Sequence, residues 1–257
     1  MSLSPDELER YQRQMMIDGW GEAGQEKLQR STVFVAGAGG LGSPAAIYLC
    51  VAGVGELRIC DSDAPELSNL NRQILHDASR VGINKASSAE QTLRALNPAV
   101  RVTPLTERIE PDNVDRLVGD AAIIVDCLDN FRARYLLNDV AVRRNVPLVH
   151  GAVSGLDGRM AVLHPPHTAC LRCVVPEPPP EQAFPVLGAT PGVIGTLQAL
   201  EVLKYLTGVG ESLLGELLVW DGARMRFVRV RFGADPRCPA CGGGSPSRRA
   251  NGGGGGD

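Results

Sequence analysis

The chain has 257 residues, 44 % of them hydrophobic and 21 % charged, with a formal net charge of −3. This is a globular composition, long enough for one substantial α/β core, and it excludes a chain dominated by disorder. The mild acidity speaks against nucleic acid as a partner. No apolar run reaches a membrane span and the N-terminus lacks a charged-then-apolar signal, so a cytoplasmic protein without membrane contact is expected.

Ser4-Pro5-Asp6-Glu7 reads as an N-cap with proline at N1 and glutamate at N3, predicting a helix through about Gln14. That helix carries Arg10-Tyr11-Gln12-Arg13-Gln14 and belongs to an N-terminal helical arm, residues 1–30. An apolar run, Thr32 to Ala36, then leads into Gly37-Ala38-Gly39-Gly40-Leu41-Gly42 and a helical segment from Ser43 to Leu49. This is the G-x-G-x-x-G order between strand and helix, where glycines let backbone approach phosphates and the helix N-terminus offers unpaired N–H groups. The next strand, Glu56 to Cys60, ends in Asp61, with Asp63 close behind; a carboxylate there commonly holds a ribose. Alone, the turn says only that a nucleotide binds, NAD or FAD ahead of ATP.

Ser68-Asn69-Leu70-Asn71-Arg72-Gln73 and then Lys85 shift that balance. A dehydrogenase leaves its pyrophosphate intact, whereas breaking a phosphoanhydride develops charge that fixed cations or Mg²⁺ must stabilise. Arg72 offers a two-pronged fork and Lys85 a point charge, although each taken singly reads as a solvated surface residue. Further strands are expected at Arg101–Pro104, Ala121–Asp126 and Val146–His150, with helices at 111–118 and 132–143. Alternation of this kind predicts a mainly parallel, Rossmann-like sheet over residues 31–150. Between strand and helix lie Asp129-Asn130, where Asp129 reads as a helix N-cap.

From residue 151 the pattern turns antiparallel, with strands expected at 159–163, 217–220 and 225–230 and one helix from Gly192 to Leu206 stopped by Gly208. A long proline-rich loop, Pro176 through Thr190, precedes that helix. Cys170-Leu171-Arg172-Cys173 and Cys238-Pro239-Ala240-Cys241 are two C-x-x-C pairs that together suit a closed, structural Zn²⁺ site; a redox pair or two small disulfide loops are the alternatives. His164 and His167 lie nearby but read as loop residues, and Cys50, Cys60 and Cys127 as core thiols. This antiparallel half, residues 151–241, is followed by a low-complexity tail, residues 242–257, expected to be disordered.

In ordered conjunction, the Arg-Tyr-x-Arg-Gln run, the glycine turn, Asp61 to Asp63, Ser-Asn-Leu-x-Arg-Gln, Lys85, Asp126-x-x-Asp129-Asn130 and both cysteine knuckles resemble the MoeB/ThiF/HesA family, prokaryotic relatives of ubiquitin-activating enzymes. The molybdopterin-synthase adenylyltransferases are the nearest subgroup, with the thiamine-pathway ones close. The resemblance spans about Leu8 to Cys241. It implies ATP-dependent adenylation of the C-terminal glycine of a small ubiquitin-like sulfur carrier protein ending in Gly-Gly. It also implies that Gly40 lies against the phosphates, Asp61 on the ribose, Asn69, Arg72 and Lys85 on the triphosphate, and Asp129 at Mg²⁺. Arg13 would reach into the other subunit of a homodimer.

One departure is visible. Many relatives carry a cysteine in the crossover loop, but none lies between Cys173 and Cys238 here, and the loop reads Glu181-Gln182-Ala183-Phe184. The expectation is that reaction stops at the acyl-adenylate, with sulfur delivered by a separate donor protein; no sulfurtransferase segment follows Cys241 in this sequence. Rival readings are an NAD-dependent oxidoreductase, a silent nucleotide-binding scaffold, and an enzyme activating a peptide or a modified tRNA carboxylate.

Overall fold

The computed structural model describes residues 3–180 and 184–242. Glu181-Gln182-Ala183 of the crossover and the expected tail beyond Gly242 lie outside the described residues. In chain order the elements are α1 (Pro5–Met15), α2 (Gly21–Gln29), β1 (Thr32–Ala36), α3 (Gly42–Val51), β2 (Glu56–Cys60), α4 (Lys85–Leu96), β3 (Arg101–Leu105), α5 (Val114–Val118), β4 (Ile123–Asp126), α6 (Phe131–Arg144), β5 (Leu148–Ser154), β6 (Asp157–Leu163), α7 (Leu171–Val174), α8 (Ala189–Thr207), β7 (Glu216–Asp221) and β8 (Arg226–Arg231).

All eight strands form one sheet in the order β3-β2-β1-β4-β5-β6-β7-β8. The first five are mutually parallel, and β5 to β8 pair antiparallel, so the expected change of pattern falls within a single continuous sheet. Strand alternation divides the core in two. Val33 and Val35 face Leu49, Ile194 and Val202 on the α3/α8 side, while Phe34 joins Ile124, Leu117 and Leu137 on the α5/α6 side. Strand order reverses between β1 and β4, and the carboxyl ends of strands at such a switch point form the crevice where open α/β sheets bind ligands. The glycine turn and the Cys127–Asn130 segment both leave the sheet there.

The N-terminal cap forms as expected: Glu7 N–H donates to Ser4 Oγ at 3.3 Å, and Ser4 N–H to Glu7 Oε2 at 2.8 Å. α1 is then bound to the rear of the sheet. Asn97 Nδ2 donates to Tyr11 Oη (2.9 Å) and Cys50 O (2.8 Å), and Gln14 Nε2 donates to Ala52 O (2.8 Å), just past the end of α3.

Several elements differ from the sequence expectation, the four-residue α7 among them. α4 was not anticipated; Asn84 starts it by accepting from Ala86 N–H and Ser87 N–H. α8 begins at Ala189 rather than Gly192, because Pro191 falls in its first turn, where a missing N–H costs nothing. β5 runs past His150 to Ser154, and Gly151 permits this: a Cβ there would lie 2.6 Å from the Gln198 side chain. Among the described residues, no helix is long and apolar enough to cross a membrane.

Candidate active site and metal centre

The glycine turn is closed by its own backbone. A Cβ on Gly42 would stand 1.9 Å from Gly37 O, and one on Gly37, whose φ is +93°, would stand 2.8 Å from Cys127 O. Side chains at these two positions are therefore sterically barred, and the β1 turn lies directly against the segment leaving β4. Gly40 faces Pro191 of α8 and the Arg72 stem, with hypothetical Cβ separations of 3.2 and 3.5 Å, and Gly39 faces the Gln73 amide.

Asp61 braces the turn from the end of β2. Its Oδ2 accepts from Ala38 N–H (2.8 Å) and its Oδ1 from Asp63 N–H (2.9 Å). Burial raises its pKa, opposed by those two N–H donors and by Lys85. Each carboxylate oxygen keeps a further lone pair for a ligand donor. His76 ties the same turn to α4 through Nε2 to Ala38 O and Nδ1 to Ser88 Oγ, both 2.9 Å.

Lys85 is the first residue of α4 and only 8 % exposed, with Nζ 3.7 Å from the exposed Asp63 carboxylate. Leu67–Asn69 form a short 3₁₀ turn followed by Leu70, and Asn69 Oδ1 accepts from Glu66 N–H at 3.3 Å. Arg72 follows, donating from Nη1 to Ser68 O (3.0 Å) and Asn71 Oδ1 (2.9 Å). It has no carboxylate partner among the described residues. The Gln73 side chain is buried against the turn, with its Oε1 lacking a partner.

Asp129 is not the cap of α6. Asn130 takes that position, its Oδ1 accepting from Ala133 N–H at 3.0 Å, and Asp129 is left exposed with no hydrogen-bond or ion-pair partner among the described residues. Arg13 is likewise exposed, on the last turn of α1, next to the Gln14 that binds Ala52 O. That is the far end of α3 from the glycine turn. The ten residues of α3 separate the two by about 15 Å. Glycine turn, Asp61, Asp63, Lys85, Arg72 and Asp129 are thus gathered at one crevice, and Arg13 of the same chain is not. A cleft of about 370 Å³ lined by Arg94, Pro98, Ala99, Val100 and Arg101 lies at the opposite end of the strands and holds none of these residues.

The four knuckle cysteines converge. Cys170 Sγ is 3.9 Å from Cys173 Sγ and 3.6 Å from Cys238 Sγ, Cys173 and Cys241 are 3.4 Å apart, and all four sulfurs lie within 4.8 Å of one another. Thiolates on a tetrahedron around Zn²⁺ at about 2.3 Å would stand about 3.8 Å apart, so the donor set fits that ion. Burial raises Cys170 and lifts Cys173 to about 11, whereas N–H donors of Cys241 and Ala240 outweigh burial at Cys238 and bring it down to about 7. His164 instead contacts Asn145 O and Tyr205 Oη, and Cys50, Cys60 and Cys127 are buried thiols. Sequence reasoning missed His76, Arg134 and His150, whose partners lie on other elements and leave no local pattern.

A model of the ThiF family matches residues 11–240. The chain belongs to the ThiF family. It is similar to the sulfur carrier protein adenylyltransferase of Thermus thermophilus, 43 % identical over 94 % of this chain and 93 % of that one. It is also similar to the SAMP-activating enzyme E1 of Haloferax volcanii, 44 % identical over 94 % of this chain and 92 % of that one. Among solved structures, E. coli MccB superposes with a TM-score of 0.83 at 23 % identity, covering 93 % of this chain and 74 % of that one, which shows a common fold. This ThiF-family chain is an enzyme, an adenylyltransferase, and the dehydrogenase and silent-scaffold readings fall.

Proposed function

We propose that this ThiF-family enzyme uses ATP and Mg²⁺ to adenylate the C-terminal glycine carboxylate of a small ubiquitin-like sulfur carrier protein ending in Gly-Gly, releasing pyrophosphate. The observation that carries the reading is Lys85: a nearly buried ammonium at the N-terminal, electropositive end of a helix, beside a glycine turn and an Arg72 without a carboxylate partner. Like charge so concentrated favours a polyanion between the groups. The names of the two sequence relatives support the carrier as substrate.

The nucleophile is the carrier's own carboxylate, ionised at neutral pH, so no protein base is needed. The barrier is the approach of one anion to another. Asp61 holds the ribose hydroxyls, the 37–42 backbone lies along the phosphates, and Asn69, Arg72 and Lys85 take the triphosphate oxygens. Attack at the α-phosphorus then expels pyrophosphate, whose developing charge Arg72 and Lys85 stabilise. Mg²⁺, when bound, would neutralise phosphate charge, and the exposed Asp129 carboxylate, without a protein partner among the described residues, would hold it. Cys170, Cys173, Cys238 and Cys241 hold a structural Zn²⁺. Arg13 lies too far behind α3 to serve its own site, which favours a homodimer in which each subunit lends Arg13 to its partner.

The crossover has no cysteine, so the acyl-adenylate is the end product on this enzyme, and a separate donor protein supplies sulfur in molybdopterin- or thiamine-type biosynthesis. The deciding experiment is pyrophosphate–ATP exchange with candidate carriers, intact and lacking the last glycine. Exchange should require the intact Gly-Gly end. Exchange driven equally by a truncated carrier, or by a peptide or tRNA alone, would overturn the assignment.

A further inference from the structure

Behind Asp129 lies a buried polar cluster that the reaction described above does not use. Asp126, fully buried at the end of β4, accepts at Oδ1 from Leu128 N–H (3.1 Å) and at Oδ2 from His150 Nδ1–H (2.7 Å). Arg134 of α6, 5 % exposed, places Nε 3.5 Å from the same Oδ2. That Nε is buried and makes no hydrogen bond, while its Nη2 donates to Leu128 O and to Gly151 O. Burial works against the Asp126 carboxylate, but Arg134 and the His150 hydrogen bond outweigh it and hold its pKa below the ordinary value. Burial depresses His150, so it is a neutral donor at pH 7.

Two donors therefore compete for one oxygen. Oδ2 is hydrogen-bonded by His150 alone, and an unpaired guanidinium Nε waits 3.5 Å away. An unsatisfied buried donor costs free energy. Without His150, the carboxylate gains by swinging toward Arg134, and Oδ1 must then leave Leu128 N–H. Leu128 directly precedes Asp129, whose carboxylate has no hydrogen-bond or ion-pair partner among the described residues to fix it.

We infer that His150 is a positioning residue for the adenylation reaction: by occupying Asp126 Oδ2 it sets the carboxylate's orientation, and through Leu128 N–H it aims Asp129 into the crevice beside the glycine turn. The role rests on the proposed adenylyl-transfer reading of Asp129, but the hold on the backbone does not depend on it.

The test compares His150→Leu, which keeps apolar bulk and removes the donor, with His150→Asn, whose amide nitrogen stands where Nδ1 stood. Loss of an outer-layer partner costs roughly 10- to 100-fold, so the leucine variant should lose that much in exchange kcat and need more Mg²⁺ for half-saturation, with ATP binding within about twofold of wild type. The asparagine variant should recover to within about threefold of wild type. In hydrogen–deuterium exchange without nucleotide, the leucine variant should lose protection over 127–131 and the asparagine variant should not. Undiminished activity in the leucine variant, equal loss in both variants, or protection lost throughout the sheet would overturn the inference. If the wild-type enzyme itself shows no carrier-dependent exchange, the adenylation reading fails. The hydrogen-exchange comparison then decides the backbone role alone, and unchanged protection at 127–131 overturns it.

Discussion

Lys85 sits where helix electrostatics alone would not put a cation. The N-terminal end of a helix disfavours positive charge by a few tenths of a kcal/mol to about 1 kcal/mol, and Asn84 already satisfies the first N–H groups. Its one ion-pair partner among the described residues, Asp63, is 63 % exposed in its side chain at 3.7 Å, a weak pair. Removing the ammonium should therefore leave folding nearly unchanged and strike at turnover. Lys85→Ala and Arg72→Ala are expected to lower carrier-dependent exchange by about 10²–10³-fold, with Tm close to wild type. Wild-type rates in either folded variant would refute the charge-screening account. The same scale shows why sequence could name Asp129 but not describe it. Asp129 and Asn130 are both able to cap α6, and only backbone geometry reveals that Asn130 does so and leaves its neighbour free. His76 and His150 were illegible for another reason: their partners, Ala38 O and Asp126, come from different strands and loops.

At the level of elements, β1, the glycine turn and α3 were readable because each is written locally: an apolar strand, glycines where side chains would collide, a helix directly after. α4 was not, since its apolar face is short and its start depends on the Asn84 side chain accepting from Ala86 N–H and Ser87 N–H. α7 has four residues, too few to leave a periodic signal, yet it binds the cysteine clasp to α6. Leu171 N–H donates to Asn138 Oδ1 (2.7 Å), and Arg172 pairs with Asp139 (3.2 Å) over the Tyr135 ring. Removing the proposed Zn²⁺ should cost this junction its anchor. Chelation is expected to lower Tm by about 10 °C and to expose four thiols to alkylation. Cys50 and Cys60, pushed up to about 11 and about 12 by burial, and the buried Cys127 should stay unmodified until the protein unfolds. Mass spectrometry of alkylated peptides reads this directly, and labelling of Cys60 in the chelated, folded protein would count against it.

Across the whole molecule, Arg13 is separated from the crevice by the length of α3, and the homodimer proposed above, in which it serves the partner's site, would make the active unit larger than one chain. Mixing Arg13→Ala with Lys85→Ala subunits, each inactive alone, should restore about a quarter of wild-type exchange, because half of the randomly paired dimers then contain one complete site. No recovery on mixing would mean that Arg13 does not act across an interface. Acid stability is a second property of the whole. His76 and His150 are both depressed by burial, so the unfolded chain takes up protons before the folded one. Their contribution is complete above the ordinary imidazole value of about 6.5 and is lost as pH falls below it; Asp126, also depressed, withdraws its share below about pH 4. Tm should therefore decline from pH 7 to 5 and fall again under stronger acid, and the first decline should shrink in His150→Asn.

The clasp also determines how the protein would answer a pull on its C-terminal end. β8 is the outermost strand, all six of its residues exposed, and on its own it would peel from the edge under small force. With the four sulfurs bridged by an ion, tension entering beyond Cys241 passes through metal–sulfur bonds into α7 and α6 before it reaches β8. Optical tweezers attached at residue 242 should then record one high rupture force when the ion is bound and a gradual, low-force unzipping once it is gone.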